Sequence, residues 1–449
     1  MFIFDPPATA VISFSDIFSD QSDNKQYGFR LPTVTEARSN IRAALKEMRA
    51  AENGDRDYLR LAKLLEEYLP QIQGIMDCVT HDEIGFKSEP IFSWKLSLPG
   101  LHADYAFTLL TYAYTLSNLA WSTVEGLGTY EHDRSISDES RKAKDKELNV
   151  AVDFLCKASG IFAYIADIVL PDWEVNRTDG PPGFNRPPEL MKDVNTALSK
   201  MVLADAQTLA IRRLQSKSAY DNNIAPGPPL PLSHPSPSLL AKLHLECATL
   251  YGSARSLIKS VGASKSSSEK NVISSDFRKH LADETGLHTA LAHKWLGVFA
   301  GEKGGSEKGG EAVGFLAWAK KELEDLKDSG RTLTIGKGEK ERHERRKTKL
   351  TDEIATVTLF HKQYKQMNDT VHFQPVPPQS ELQRVIPAGT LARKATLFTA
   401  PQPSFGPNSI EYLRRKTEEL RARDDGPPAP PPKDTLPKSG NYAGAGAYF

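Results

Sequence analysis

Leu101-HADYAFTLLTYAYTLSNLAWSTVEG-Leu127 and Glu147-LNVAVDFLCKASGIFAYIADIV-Leu170 are the stretches whose reading decides the fold. In the second, Leu148, Ala151, Leu155, Ala158, Phe162, Ile165 and Val169 recur at intervals of three and four, the spacing of one buried helix face. Val150, Phe154 and Ile161 lie on the other side, and a helix apolar on two sides is sandwiched between neighbours. The first stretch is wrapped in the same way by Tyr105, Phe107, Leu110, Tyr112, Leu116, Leu119 and Trp121. Small residues such as Ala106, Ala113, Ala151, Ala158 and Gly160 let helices approach closely, as stacked helix pairs require. The expected fold class is all-α and repeat-like.

Working outward, helices are predicted from Thr35 to Ala51, Asp57 to Cys78, Ser274 to Ala300, Glu311 to Asp328 and Lys337 to Met367. Proline lacks a backbone donor, so the second of these should kink or restart at Pro70. Met1 to Gln26 reads as extended chain, and Ile84 to Leu98 as the best strand. The charged segment Glu131 to Lys146 is taken as the link between the two central helices. Asp179-GPPGFNRPP and Ala225-PGPPLPLSHPSPS are connectors whose composition excludes helix. Val371 to Ala388 should be extended, and Pro427-PAPPP belongs to a disordered tail.

Lysine plus arginine and aspartate plus glutamate both number 57, so no global field argues for nucleic acid or an anionic membrane. No stretch was expected to supply the ~20 apolar residues of a bilayer span. Cys78, Cys156 and Cys247 sit in apolar helical contexts and read as buried free thiols. Gly301-EKGGSEKGG has the glycines of a phosphate loop without its hydroxyl or preceding strand, and reads as a flexible turn. His280, His288 and His293 share a helix, but spacings of eight and five give no i, i+4 ligand pair for zinc. Arg342-HERRKTK, interspersed with glutamates, reads as a solvated helix face. The motif content calls for no metal, cofactor or catalysis.

Five segments also carry a resemblance. Ala106-FTLLTYAYTLSNLAW, Val150-AVDFLCKASGIFAYIAD, Leu198-SKMVLADAQTLAIRR, Ser238-LLAKLHLECATLYGSA and Gly309-GEAVGFLAWAKKEL resemble, in order, helices of the Bro domain of the Alix family. Phe2-IFDPPATAVISFSD, Ile91-FSWKLSL and Asn441-YAGAGAYF are similar to the shorter fungal members tied to ambient-pH signalling. The resemblance implies a boomerang-shaped Bro domain over residues 1–400, with tetratricopeptide-like helix pairs and a small N-terminal β element. Residues 401–449 would then form a mostly disordered tail with a helix at 408–425.

It further implies a non-catalytic adaptor that binds the C-terminal amphipathic helix of the ESCRT-III core filament subunit. Such an adaptor works with arrestin-like and receptor components, upstream of proteolytic activation of the pathway's zinc-finger transcription factor. It would be cytoplasmic, recruited to plasma-membrane or endosomal sites, without nucleic-acid binding or membrane insertion. The family's patch aliphatic falls on Val152, about 40° from the centre of the buried arc at ~100° per residue, where ordinary core is the competing reading. Ile386 or Leu391 supplies a second contact and Arg278 or Lys279 a basic one. Two other classes compete: a generic tetratricopeptide-like adaptor for an unrelated amphipathic peptide, and an enzyme with clustered perturbed groups in a deep pocket.

Overall fold

The computed structural model describes residues 1–94, 97–176, 187–222, 227–263, 273–329 and 337–424. The chain opens with a one-turn helix α1 (Phe14–Ile17) and strand β1 (Phe18–Asp20), followed by helices α2 (Arg30–Ala50) and α3 (Tyr58–Thr80). Three-residue strands β2 (Ile84–Phe86), β3 (Ile91–Ser93) and β4 (Ser97–Pro99) come next. The stretch read as one strand is therefore three. Ser88-Glu89-Pro90 interrupts it, β2 pairs antiparallel with β1, and β3 with β4.

Helices α4 (Leu101–Leu127), α5 (Asp138–Tyr164), the short α6 (Leu170–Asn176), α7 (Lys192–Asn222), α8 (Pro237–Ala263), α9 (Ser275–Lys303), α10 (Gly309–Ser329) and α11 (Lys337–Met367) follow. From α2 onward each long helix packs on the one before it, with α5 passing directly to α7, as the all-α repeat reading requires. Short helix α12 (Gln379–Leu382) and the terminal α13 (Ile410–Asp424) complete the described chain. The connector after Asn176 and the proline run from Pro427 lie outside the described residues.

Three local expectations are corrected. Residues 138–146 are not a link but the first turns of α5. Ser137 caps it by accepting from Ser140 N, Asp138 and Glu139 sit in its positive first turn, and Asp138–Lys142 and Arg141–Asp145 pair at i, i+4. Helix α3 runs through Pro70 without a break, because Leu69 and Ile72 on either side are buried and hold it against its neighbours. The run Asp138–Val175 does reach the length and apolarity of a membrane span. Its apolar window is 61 % buried, which is the property of a core helix wrapped by α4 and α7.

The N-terminal half is tied together by one buried carboxylate. Asp104 on α4 accepts from Arg38 Nη2 (2.9 Å) and Trp94 Nε1 (2.8 Å) at one oxygen and from Tyr68 OH (2.9 Å) at the other. Arg38 spends its remaining donors on Ala10 O (2.9 Å) and Thr9 Oγ1 (2.8 Å). Asn118 does a similar service lower on α4, clamping the backbone of Phe4 through its carbonyl (3.0 Å) and amide (2.7 Å). Phe4 thereby stacks on Tyr114 and reaches Phe162 on α5.

The Asp104 node yields a prediction. Asp104→Asn should lower stability in chemical denaturation by about 3–5 kcal/mol, because Arg38 is left charged and buried. Arg38→Met with Asp104→Leu should recover part of that loss, since no charge is then stranded.

Candidate functional site

After α11 the chain turns back and crosses the stack in reverse order. Asn368, buried at the turn, clamps Gln374 through both its amide groups. The chain then presses on α10, where a Cβ at Gly310 would meet Pro375 O at 2.0 Å, and seats Leu382 in the core. On α8, Thr390 N donates to Lys242 O (3.1 Å). On α7, Gln207 reads the strap's backbone on both sides. Its Oε1 accepts from Ala392 N (2.8 Å) and Arg393 N (3.0 Å), and its Nε2 donates to Arg393 O (2.7 Å).

On α5, Arg393 pairs with Asp153 (2.5 Å) and Thr396 N donates to Cys156 O (3.0 Å). A Cβ at Gly160 would lie 1.7 Å from Thr396 O, so glycine there lets backbone lie on backbone. The strap ends on α3, where Ser404 N donates to Pro70 O (2.9 Å), Phe405 is buried and Asn408 Nδ2 binds Asp77 (2.6 Å). Residues 401–409 thus pack on the helical body rather than starting a free tail, and helix begins at Ile410.

The strap gives the surface an edge. Helices α5 and α7 are antiparallel neighbours, bonded Arg141 to Ser216 and Ser159 to Ser199, and α7 and α8 are bonded Asp205 to Tyr251. Val150 lies one turn before the strap contact on α5, Leu214 two turns after it on α7, and Leu239 one turn before it on α8. Because the helices alternate in direction, all three fall on the same side of the strap. They are 48 %, 39 % and 40 % exposed, and Leu391, between the bonds to α8 and α7, is 40 % exposed. The result is a row of exposed aliphatic side chains on α5, α7 and α8 beside the strap, termed the trough.

The expected site residues separate. Val152 is fully buried in the α5 core, so the core reading holds and the exposed aliphatic of that turn is Val150. Leu391 sits at the trough's edge, and Ile386 is half-buried against the core. Arg278 and Lys279 occupy the first turn of α9. The α8–α9 register, set by His244 against His288, places them roughly 20 Å from the strap crossing at 1.5 Å per residue. Arg393 lies two residues from Leu391 on the strap. Val150, Leu214 and Leu239 were missed because helical spacing joins each to an apolar neighbour, Phe154, Ile211 and Leu243, and so reads as core. The signal that could find them is the strap's own contact stripe on each helix.

The helical histidines hold each other. Among the described residues no group of three His, Cys, Asp or Glu could hold a metal. His244 Nδ1 faces His288 Nδ1 at 2.9 Å, and His288 Nε2 meets Thr208 Oγ1 at 3.1 Å. One of the two Nδ1 atoms must donate and the other accept, so at least the accepting ring is neutral and the two cannot both be protonated. Burial accordingly lowers His244 well below its usual range and His288 to about 4, although Glu284 beside His288 pulls the other way. The basic start of α11 is also more than a solvated face, since Arg345 pairs with Glu125 on α4 and Arg346 with Asp283 on α9.

Comparison with known proteins agrees with this architecture. A BRO1-like domain matches residues 43–409, from within α2 to the last residue of the strap. The chain belongs to the BRO1-like domain family. A full-length Bro relative, the pH-response regulator protein palC of Cryptococcus neoformans var. neoformans serotype D (strain B-3501A), is 34 % identical over 100 % of this chain and 99 % of its own. The palC protein of Yarrowia lipolytica (strain CLIB 122 / E 150) is 24 % identical over 89 % and 93 %. Among solved structures, an ALIX BRO1 CHMP4C complex matches with TM-score 0.59 at 16 % identity, covering 90 % of this chain and 97 % of that one. A Bro1 domain described as a basis for endosomal targeting matches with TM-score 0.53 at 13 % identity, covering 94 % and 97 %. At these identities the two structures establish the Bro fold.

Two outcomes follow from the site's geometry. Gly160→Ala should lift the strap from α5 at a cost of about 1–3 kcal/mol. It should raise amide exchange in residues 390–400, whereas Gly126→Ala, where a Cβ meets nothing within 4 Å, should leave exchange unchanged. For the histidine pair, folded-state values depressed below 6.5 mean that the unfolded chain binds more protons as pH falls. Stability from this pair is therefore complete above about pH 6.5 and is lost as pH falls toward about 4. His288→Leu should shrink the drop in melting temperature between about pH 7 and about pH 5.

Proposed function

We propose that this Bro protein is a non-catalytic adaptor of a fungal ambient-pH signalling system, and that its trough receives an amphipathic helix. The observation that carries the reading is the set of exposed aliphatics Val150, Leu214, Leu239 and Leu391 beside the strap on successive helices. A helix with apolar residues at i, i+3, i+4 and i+7 can bury one stripe in such a trough while its polar face stays wet. The names of its relatives support the pH-response role, and a similar fold solved in complex with CHMP4C supports a helical ESCRT-III ligand.

In this reading the occupant is the C-terminal helix of the ESCRT-III core filament subunit. The adaptor acts in the cytoplasm and is recruited to plasma-membrane or endosome-associated sites. There it links arrestin-like and receptor components to the assembly that supports proteolytic activation of the transcription factor. It supplies binding surface, and the chemistry belongs to its partners.

The experiment separates surface from core on the same helix. Val150→Asp with Leu214→Asp should leave the melting temperature unchanged and weaken the ESCRT-III helix peptide by at least about tenfold, ~1.4 kcal/mol. Val152→Asp should instead destabilise the domain, because a lone carboxylate is forced into packed core. A folded Val150→Asp/Leu214→Asp protein with normal peptide affinity would remove the trough from the function.

A further inference from the structure

Apart from the half-buried Tyr412, the side chains of α13 from Ile410 to Arg421 are exposed to solvent, yet its start is held firmly. Ser409 is buried, its Oγ donates to Gly406 O (2.7 Å) and accepts from Tyr412 N (3.2 Å), and Asn408 is bonded to Asp77 on α3. Arg30 on α2 pairs with Glu411 in the first turn. A 15-residue helix packed only at its first turn is marginal in water, so the exposed remainder calls for a covering surface.

The pattern on α13 defines that surface. At ~100° per residue Ile410, Leu413, Thr417 and Leu420 fall within an arc of about 80°. Ile410, Leu413 and Leu420 are exposed. Arg414 and Arg421 border this seam on one side, Arg414 being paired with Glu418 one turn on (3.0 Å), and Lys416 borders it on the other, while Glu411 and Glu419 lie on the far face. The seam repeats as the a and d positions of a heptad, with the basic residues at e and g.

We propose that α13 is a docking element, separate from the trough, for an acidic amphipathic helix: one with an apolar seam flanked by glutamate or aspartate. A second copy of α13 is a poor occupant, because in either orientation a basic flank would face a basic flank. A lipid surface is also disfavoured. The seam has three aliphatic side chains with a threonine among them, and the far-face glutamates nearly cancel the long-range field that an anionic membrane would feel. The positive charge is arranged beside the seam, where a partner helix reads it at close range.

The test uses the full chain and two designed helical peptides with leucine and isoleucine at the seam, one carrying glutamate at the flanks and the other lysine. Fluorescence anisotropy should show binding of the glutamate peptide, weakening as salt rises. Leu413→Asp with Leu420→Asp should reduce that affinity at least about tenfold. Both positions are exposed, so the melting temperature should not change. The triple variant Arg414→Glu/Lys416→Glu/Arg421→Glu should prefer the lysine peptide, while Val150→Asp should bind the glutamate peptide as the parent does. Failure to bind the glutamate peptide, equal binding of both peptides, or insensitivity to the seam variant would overturn the proposal. So would α13-dependent dimerisation in sedimentation, or stronger α13-dependent binding to phosphatidylserine vesicles than to the glutamate peptide.

Discussion

Asp104 carries a charge at a position with no access to water, and much of the N-terminal half is arranged to satisfy it. Taking a carboxylate and a guanidinium out of water costs more than their mutual attraction returns unless the remaining lone pairs and protons are also matched. Here they are matched by Arg38, Tyr68 and Trp94 on the carboxylate, and by Thr9 and Ala10 on the guanidinium. These groups come from the N-terminal segment, α2, α3, the strand region and α4. A polar contact so demanding in geometry selects one packing of those elements over the many that apolar contact alone would tolerate.

The strap plays the equivalent part for the rest of the stack. Successive helix pairs bury their flanks against one another but leave an open face, and a solenoid so built has little to hold distant helices in one curvature. By crossing α10, α8, α7, α5 and α3 in turn, the strap adds bonds between residues as far apart as Asn408 and Asp77. Most of those bonds go to backbone or to buried side chains such as Gln207, and buried Leu382 and Phe405 add apolar anchors. The trough is a by-product of this seating. The same helical face that receives the strap continues on one side as exposed aliphatic surface, bordered by Leu391.

The two apolar surfaces differ in what surrounds them. The trough is drawn from three helices, so a ligand there would meet several elements and depend on their spacing. The seam on α13 is a single convex stripe, so its selectivity rests on the flanking charges. Together the two proposed surfaces would let the Bro body hold two helices at once, in keeping with the proposed adaptor role.

The all-α stack was legible in the sequence because α4 and α5 are apolar on two sides, and only a sandwiched helix tolerates that. The helix of α11 was legible to its end residues, since the run contains no proline and its second half spaces Leu350, Ile354, Val357 and Phe360 at intervals of three and four. The start of α5 was not, because a run of charges reads as loop until its i, i+4 pairs are seen in place. Nor was the passage of α3 through Pro70, where packing outweighs the local preference of proline. The site was harder still. Val152 and Val150 are two residues apart on one helix, and periodicity placed the first at the rim of the buried arc. Which of them meets solvent depends on how α4 and α7 close around α5 and where the strap lies, and those are contacts between residues far apart in the chain. Sequence alone thus determined the helices and the family; tertiary packing decided the surface, because exposure belongs to neighbours and not to the residue.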